Sequence, residues 1–69
     1  MRVYVDGTSG DELDRVLRAN LTAAEAELLS PTMEEDGYSF STDSPAVERR
    51  VRDLAASRGI VLEEISVSA

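Results

Sequence analysis

The sequence contains no cysteine, no histidine and no tryptophan, and all seven of its basic residues are arginine. Without cysteine the chain can form no disulfide and offers no thiolate to a substrate or a metal ion. Without histidine and lysine it lacks the side chains that most often activate a serine or threonine nucleophile. We therefore expect a protein that is not an enzyme and that holds no cofactor and no metal ion.

The chain is also short and has no long apolar run. Its 69 residues are enough for one small domain, and we predict a single α/β domain over residues 1–69. No apolar run approaches the roughly 18 residues of a membrane span, and residues 1–6 lack the apolar core of a signal peptide. We expect a cytoplasmic protein without a membrane partner.

Negative charge is what the sequence has in excess. It carries 14 acidic and 7 basic residues, a net charge of -7. The segment 19–45 contains six acidic residues and no basic residue. A surface of this kind repels phosphate backbones and attracts basic partners. We therefore expect a protein partner with a basic surface and no direct binding of nucleic acid.

Hydrophobic periodicity predicts the elements of the first half of the chain. Residues 2–6 alternate as in a strand with one buried face. Capping boxes at Ser9–Glu12 and at Thr22–Glu25 are both typical of a helix start. Residues 10–29 therefore form either one helix or two, and the two-helix interpretation is slightly favoured. A proline then stops the helical pattern, and residues 30–37 are predicted to form a loop with an acidic tip.

The second half predicts a strand, a helix and a strand. Residues 38–42 alternate aromatic and small polar side chains. Ser44–Pro45 is typical of a helix start, and the helix over 45–58 ends before Gly59. Residues 60–67 predict the third strand, central or buried on both faces. Strands that alternate with helices favour a small three-stranded, largely parallel sheet, β-α-(α)-β-α-β, with two or three helices packed on it.

Asp6 and Asp11 flank a glycine-containing loop between the first strand and the first helix. Such loops bind phosphate through free backbone N–H groups, but the glycine and lysine spacing of the known phosphate loops is missing. Asp6–Thr8 is similar to part of the first motif of haloacid-dehalogenase-type phosphatases, although Tyr4 stands where that motif has its nucleophilic aspartate. A small metal-dependent enzyme that uses Asp6 and Asp11 is kept as an alternative.

The acidic segment supplies the candidate site. The predicted partner-binding residues are Glu25, Glu27, Glu34, Glu35 and Asp36. Because the strand 38–42 carries no charge, we expect Tyr38 and Phe40 at an exposed sheet edge that pairs with a partner or with a second copy in a homodimer. The favoured function is a protein-interaction module, either a small adaptor or an accessory domain. The alternative is an acidic inhibitor that imitates nucleic acid and blocks a nucleic-acid-binding protein.

Overall fold

The first strand follows the apolar pattern of the sequence. In the computed structural model, which describes residues 1–65, Val3 and Val5 are buried on one face of that strand. The elements in chain order are β1 (Arg2–Asp6), α1 (Gly7–Asn20), α2 (Ala23–Glu27), β2 (Ser30–Met33), β3 (Gly37–Ser41), α3 (Pro45–Ser57) and β4 (Glu63–Glu64). No helix in this part of the chain is long and apolar enough to cross a membrane.

The sheet has four strands rather than three, and every neighbouring pair is antiparallel. The strand order is β2-β3-β1-β4. The predicted three-stranded, largely parallel sheet is therefore wrong. It missed β2, which forms within the segment expected to be a loop and pairs with β3 as a hairpin. Because β3 then lies between β2 and β1, each helical crossover joins strands that are parallel but not adjacent.

Two split β-α-β units are interleaved in this sheet. β1 and β2 enclose β3, while β3 and β4 enclose β1. This is the ferredoxin-like arrangement of a β-α-β-β-α-β chain, here with the short α2 inserted before β2. The arrangement fixes the architecture but not the function, because a common fold hosts many unrelated activities.

The two helices after β1 begin in different ways. α1 starts at Gly7 with Asp6 as N-cap and no side-chain capping bond, so the capping box predicted at Ser9–Glu12 is wrong. The chain then forms a second helix, as the slightly favoured interpretation predicts. Thr22 caps α2 through a complete capping box: its Oγ1 accepts from the Glu25 N–H at 3.1 Å, and its own N–H donates to Glu25 Oε1 at 2.9 Å.

Both ends of α3 confirm the signals in the sequence. Ser44 is the N-cap, its Oγ accepts a first-turn backbone N–H at 3.3 Å, and Pro45 opens the helix. At the other end Gly59 has φ +68°, a left-handed conformation that glycine adopts without a Cβ clash. The N–H of Ile60 donates back to the Ala55 carbonyl at 2.9 Å, which closes the helix in a Schellman motif.

The core lies between one face of the sheet and the helices. The register pairs Val3 with Phe40 and Val5 with Tyr38, and residues paired in this way share a face. The buried hydrophobic cluster consists of Val3, Val5, Leu13, Leu17, Leu29, Phe40, Val47, Val51, Ala55 and Ile60. Since α1, α3 and Leu29, two residues after α2, all contribute to this cluster, the opposite face of the sheet is free of helices within residues 1–65.

The last strand is shorter than predicted and lies at an edge. β4 comprises Glu63–Glu64 and pairs with β1. Ile60 is buried, but Val61 is 79% exposed, so the apolar run 60–62 is not a central strand buried on both faces. The predicted strand residues beyond 65 lie outside the described part of the chain.

Candidate functional site

The consecutive acids Glu34, Glu35 and Asp36 form the turn of the β2–β3 hairpin. The Glu34 N–H donates to the Gly37 carbonyl at 2.8 Å, which closes the turn. The Asp36 carbonyl accepts from the Gly7 N–H at 2.6 Å, so the turn is also tied to the first residue of α1. All three acidic side chains are exposed. The backbone therefore fixes three adjacent carboxylates at one end of the sheet.

Gly37 allows the hairpin to approach β1 closely. A Cβ atom at this position would overlap the carbonyl oxygen of Val5 and would lie 2.9 Å from the hydroxyl oxygen of Tyr4. A larger residue therefore fits only if the backbone of one of the two strands moves. The position of the acidic turn depends on this close approach.

Two further carboxylates lie at the same end of the molecule. Asp6 pairs with Gly37 in the register, and Asp11 lines the same shallow depression as the hairpin turn. None of the described residues that line this depression is basic. We call the following residues the acidic end: Asp6, Asp11, Glu34, Glu35 and Asp36.

The hydroxyl of Tyr4 reports the negative potential at the acidic end. Loss of hydration, followed by the nearby carboxylates of Asp6 and Asp36, raises the pKa of Tyr4 above its ordinary value. The hydroxyl also donates to Asp6 Oδ1 at 3.4 Å. Glu63 on β4 acts in the same direction. Carboxylates from β1, from the hairpin and from the far edge of the sheet thus act together on one hydroxyl.

The other two predicted residues, Glu25 and Glu27, lie on a different element, α2. The Glu25 carboxylate accepts the Thr22 N–H and also lies 3.5 Å from Nε of Arg50 on α3. The backbone N–H of Thr22, its hydroxyl and the Arg50 guanidinium lower the pKa of Glu25. Glu25 thus holds α2 in place, whereas Glu27 is exposed.

Tyr38 and Phe40 lie on β3, an inner strand flanked by β2 and β1. The edge position predicted for them is therefore corrected. Their rings stack with centroids 5.9 Å apart, and Phe40 is fully buried. The correction has one physical reason: β2 covers the side of β3 that the sequence left open.

β2 is an edge strand without charge, all four of its residues are exposed, and no strand of residues 1–65 pairs with its outer side. Because the hairpin closes with a bonded pair at Glu34, alternation makes Ser30 and Thr32 the residues that bond β3. The outward backbone groups belong to Pro31 and Met33, and proline has no N–H. The edge therefore offers one N–H donor, from Met33, and two carbonyl acceptors.

An apolar groove lies beside this edge, between α1, α2 and β2. Its lining residues are Leu17, Leu21, Ala26, Leu29 and Pro31, together with the ion-paired Asp14 and Arg18. Leu17 and Leu29 are buried and form its floor. Pro31 and Met33 are two residues apart on a strand and so point to the same face. Met33 in turn borders the depression at the acidic end, so the groove and the acidic end adjoin along β2.

The face of the sheet opposite the helices is polar. Alternation and register place Tyr4, Ser39 and Ser41 on its two inner strands, and the Ser39 hydroxyl donates to Glu34 Oε1 at 3.0 Å. Sheets that bind single-stranded nucleic acid stack the bases on aromatic side chains of such strands. Within the described residues the inner strands present one aromatic ring on this face, Tyr4, and carboxylates surround it.

Asp6 and Asp11 both lie at the acidic end, but among the described residues no third side chain completes a metal site with them. In the described part of the chain no group of three or more carboxylates could hold a metal ion. The side-chain polar atoms buried in this part all have hydrogen-bond partners. What the arrangement can do is attract basic side chains.

Sequence reasoning missed Pro31 and Met33 as surface residues. They alternate with Ser30 and Thr32, which is the period of a strand with one polar face. The proline was interpreted as the end of a helix followed by a loop, although proline is also typical of edge strands. Together with the acidic turn and the strand that follows, this alternation was the signal for the hairpin.

No protein-family model, curated protein or solved structure matches the chain. The function is therefore inferred from two surface features described above, namely the acidic end and the uncovered edge of β2 with its groove.

Proposed function

We propose that this domain is a non-enzymatic interaction module, a small adaptor or accessory domain, that binds the basic surface of a partner protein through its acidic end. The hairpin turn carries the proposal, because Glu34, Glu35 and Asp36 are exposed in succession and fixed by backbone hydrogen bonds. Asp6 and Asp11 extend the same charge. We also propose that the domain acts in the cytoplasm, as expected from the sequence.

Carboxylates on a fixed turn suit this role. Charge-assisted hydrogen bonds to arginine are stronger than neutral ones, and a preordered turn loses little conformational freedom when a partner binds. A concentrated negative potential also speeds the encounter with a basic surface and disfavours acidic competitors. Since a single exposed ion pair contributes little, the adjacent carboxylates act as a group.

The arginines elsewhere in the chain support the same assignment. Arg18, Arg50 and Arg52 each lie within ion-pair distance of a carboxylate on their own or a neighbouring element. These pairs balance charge on α1, α2 and α3, and the depression at the acidic end has no such balance among its described lining residues. The acidic end thus offers a cationic segment several carboxylates with no basic residue among the described residues that line the depression.

Neutralising the turn tests the proposal. The variant Glu34→Gln, Glu35→Gln, Asp36→Asn removes the three charges with little change in shape. A fluorescent arginine–serine repeat peptide is the probe, titrated by anisotropy at low and at moderate salt. We expect binding to weaken about tenfold, which corresponds to about 1.4 kcal/mol, and its salt dependence to become shallower.

The matched control removes three charges from exposed positions elsewhere, through Glu12→Gln, Asp43→Asn and Asp53→Asn. We expect it to weaken binding much less than the turn variant. Equal losses in the two variants would show that net charge alone attracts the peptide, and the proposal would fail. For a captured natural partner, competition by duplex DNA would instead favour the inhibitor that imitates nucleic acid.

A further inference from the structure

The surface beside the acidic end has an apolar part, of which only Leu21 also packs against the core. Met33 is 72% exposed, and Pro31 is exposed beside it on the same face of β2. Next to Pro31 the groove exposes part of Leu21 and Ala26 above a floor of buried leucines. We call Leu21, Ala26, Pro31 and Met33 the apolar strip. It runs along β2 and ends at the acidic turn.

The segment that supplies the strip carries charge of one sign only. The segment 19–45, which supplies all four of its residues, has six acidic residues and no basic residue. The one arginine at the groove, Arg18, is paired with Asp14 at 3.0 Å. A segment that covers the strip therefore gains most if its apolar side chains are accompanied by lysine or arginine.

The backbone of β2 sets a second requirement. Pro31 cannot donate, so an added strand finds one outward N–H, that of Met33, and two carbonyl groups. Main-chain pairing at so poor an edge gives few hydrogen bonds. An occupant must therefore obtain its affinity from side chains in the groove and over the acidic turn rather than from the strand ladder.

A second copy of this chain is a poor occupant by the same reasoning. Each copy carries a net charge of -7, and antiparallel pairing of two β2 strands places the acidic turn of one copy beside the α2 end of the other. That end contributes Glu27 and no basic residue. Like charges brought together in this way oppose association.

We propose that the β2 edge takes an extended segment of a partner protein, with an aliphatic side chain in the groove and basic side chains over the acidic turn. The proposal rests on the proposed function and specifies the chemistry of the partner. At about 3.3 Å per residue, the span from Pro31 to Glu34 places the aliphatic and basic positions about three residues apart. The apolar anchor gives selectivity that charge alone lacks.

A random peptide display library, selected against the intact protein, tests this chemistry. We expect the selected peptides to share an aliphatic residue about three positions from a pair of lysine or arginine residues. Synthetic versions of these peptides are then measured by anisotropy against variants. Ala26→Gln fills the groove from an exposed helix position, and Met33→Gln removes the exposed apolar side chain.

Two controls lie at exposed positions away from β2: Ala56→Gln on α3 repeats the alanine change, and Val61→Gln before β4 replaces another exposed apolar side chain. We expect Ala26→Gln and Met33→Gln each to weaken the selected peptides about tenfold or more, equivalent to about 1.4 kcal/mol. The controls are expected to change binding less than about twofold. A circular dichroism melt of each variant verifies that the fold is kept.

The possible failures separate the two proposals. Peptides that are basic but carry no aliphatic anchor, and that ignore Ala26→Gln and Met33→Gln, would overturn this inference and leave the proposed function standing. Apolar peptides that ignore neutralisation of the turn would overturn both. A library that yields no enriched sequence would also count against both. Dimers in sedimentation that Met33→Gln dissociates would show that the occupant is a second copy.

Discussion

The two edges of the sheet are built differently. β4 presents two glutamates, and Glu64 accepts from an Arg52 guanidinium N–H at 2.6 Å, which ties this edge to α3. β2 presents four uncharged residues, all exposed. Short, charged edge strands resist pairing with other chains, whereas longer uncharged ones invite it. We call β4 the closed edge, because Arg52 ties it to α3, and β2 the open edge, which we propose that a partner occupies.

Charge divides the chain along the same line. Residues 46–65, which include α3 and β4, contain four acids and four arginines, while residues 19–45 contain six acids and no arginine. In the balanced part, charged side chains form ion pairs with one another, as Arg52 does with Glu48 and Glu64. In the unbalanced part most carboxylates face water. The region whose carboxylates mostly face water is also the region that contains the open edge.

The sharpest contrast is between Phe40 on an inner strand and Met33 on the open edge. Truncating a buried phenylalanine costs about 3–5 kcal/mol, and a domain of this size rarely has more than about 3–5 kcal/mol of stability. We therefore expect Phe40→Ala to unfold the domain. Met33→Ala should change the free energy of unfolding by less than about 0.5 kcal/mol. Urea denaturation followed by circular dichroism measures both, and comparable losses would contradict the assignment of β2 as a surface edge.

The hairpin that creates the open edge depends on Gly37. A methyl group there meets the β1 backbone, and we expect Gly37→Ala to lower the free energy of unfolding by about 3 kcal/mol, as overpacking does at its upper range. Gly59→Ala is the control, since its Cβ meets nothing within 4 Å and only the left-handed backbone opposes it, at about 1–2 kcal/mol. A smaller loss at Gly37 than at Gly59 would show that the hairpin is less tightly seated.

The pKa of the Tyr4 hydroxyl is expected to show a smaller effect, which depends directly on the charge of the acidic end. Asp36→Asn is expected to lower the pKa of the Tyr4 hydroxyl, because the Asp36 carboxylate helps to raise it. Glu12→Gln is the control, and it should leave that pKa unchanged because Glu12 is not among the groups that raise it. An NMR titration of the Tyr4 ring carbon bearing the hydroxyl measures both, and identical titrations in Asp36→Asn and the parent would contradict the geometry.

The raised pKa of Tyr4 also makes the free energy of unfolding depend on pH. The folded state favours the protonated hydroxyl, so its contribution is fully present below the unfolded value of about 10 and is lost as pH rises through the higher folded value. We expect the free energy of unfolding to fall over this alkaline range, and to fall less steeply in Tyr4→Phe. Parallel curves for the two proteins would contradict the prediction.

The smallest effect is expected at the closed edge. Glu64→Gln removes one ion pair between side chains that are 40% and 59% exposed, and such pairs contribute less than about 1 kcal/mol. The loss should shrink further at high salt because exposed charges are screened. Glu63→Gln, at the neighbouring exposed position, is the control. Urea midpoints at low and high salt measure the difference, and a salt-independent loss would contradict an electrostatic cause.

The sequence predicted correctly those features that depend on a few neighbouring residues. The Thr22–Glu25 box, the Ser44–Pro45 start and the Gly59 ending were all visible, because each interaction is completed within one helical turn. The start of α1 was predicted incorrectly. Ser9 and Glu12 match the spacing of a capping box, but the helix already begins at Gly7 and both residues lie inside it. Alternation in β1 likewise predicted its buried face.

Features that depend on distant residues could not be predicted in this way. The antiparallel direction of the strands depends on the pairing of β1 with β3. The inner position of β3 depends on its pairing with β2, a strand that was missed because Pro31 was interpreted as the start of a loop. The acidic turn was visible as a loop tip. Its neighbours Asp6 and Asp11 were noted only as candidate metal ligands, because the register that brings Asp6 opposite Gly37 joins distant parts of the chain.

β1 precedes β2, β3 and β4 in the chain, yet it occupies an inner position whose two neighbours, β3 and β4, are synthesised later. Until β3 has emerged, the backbone groups of β1 can bond only to water, and Val3 and Val5 have only α1 to cover them. Because chains emerge from the N-terminus at a limited rate, β1 remains without a sheet partner while α1, α2 and β2 are synthesised. Assembly of the sheet is thus delayed until β3 has been synthesised, and until then β1 is a strand without a partner.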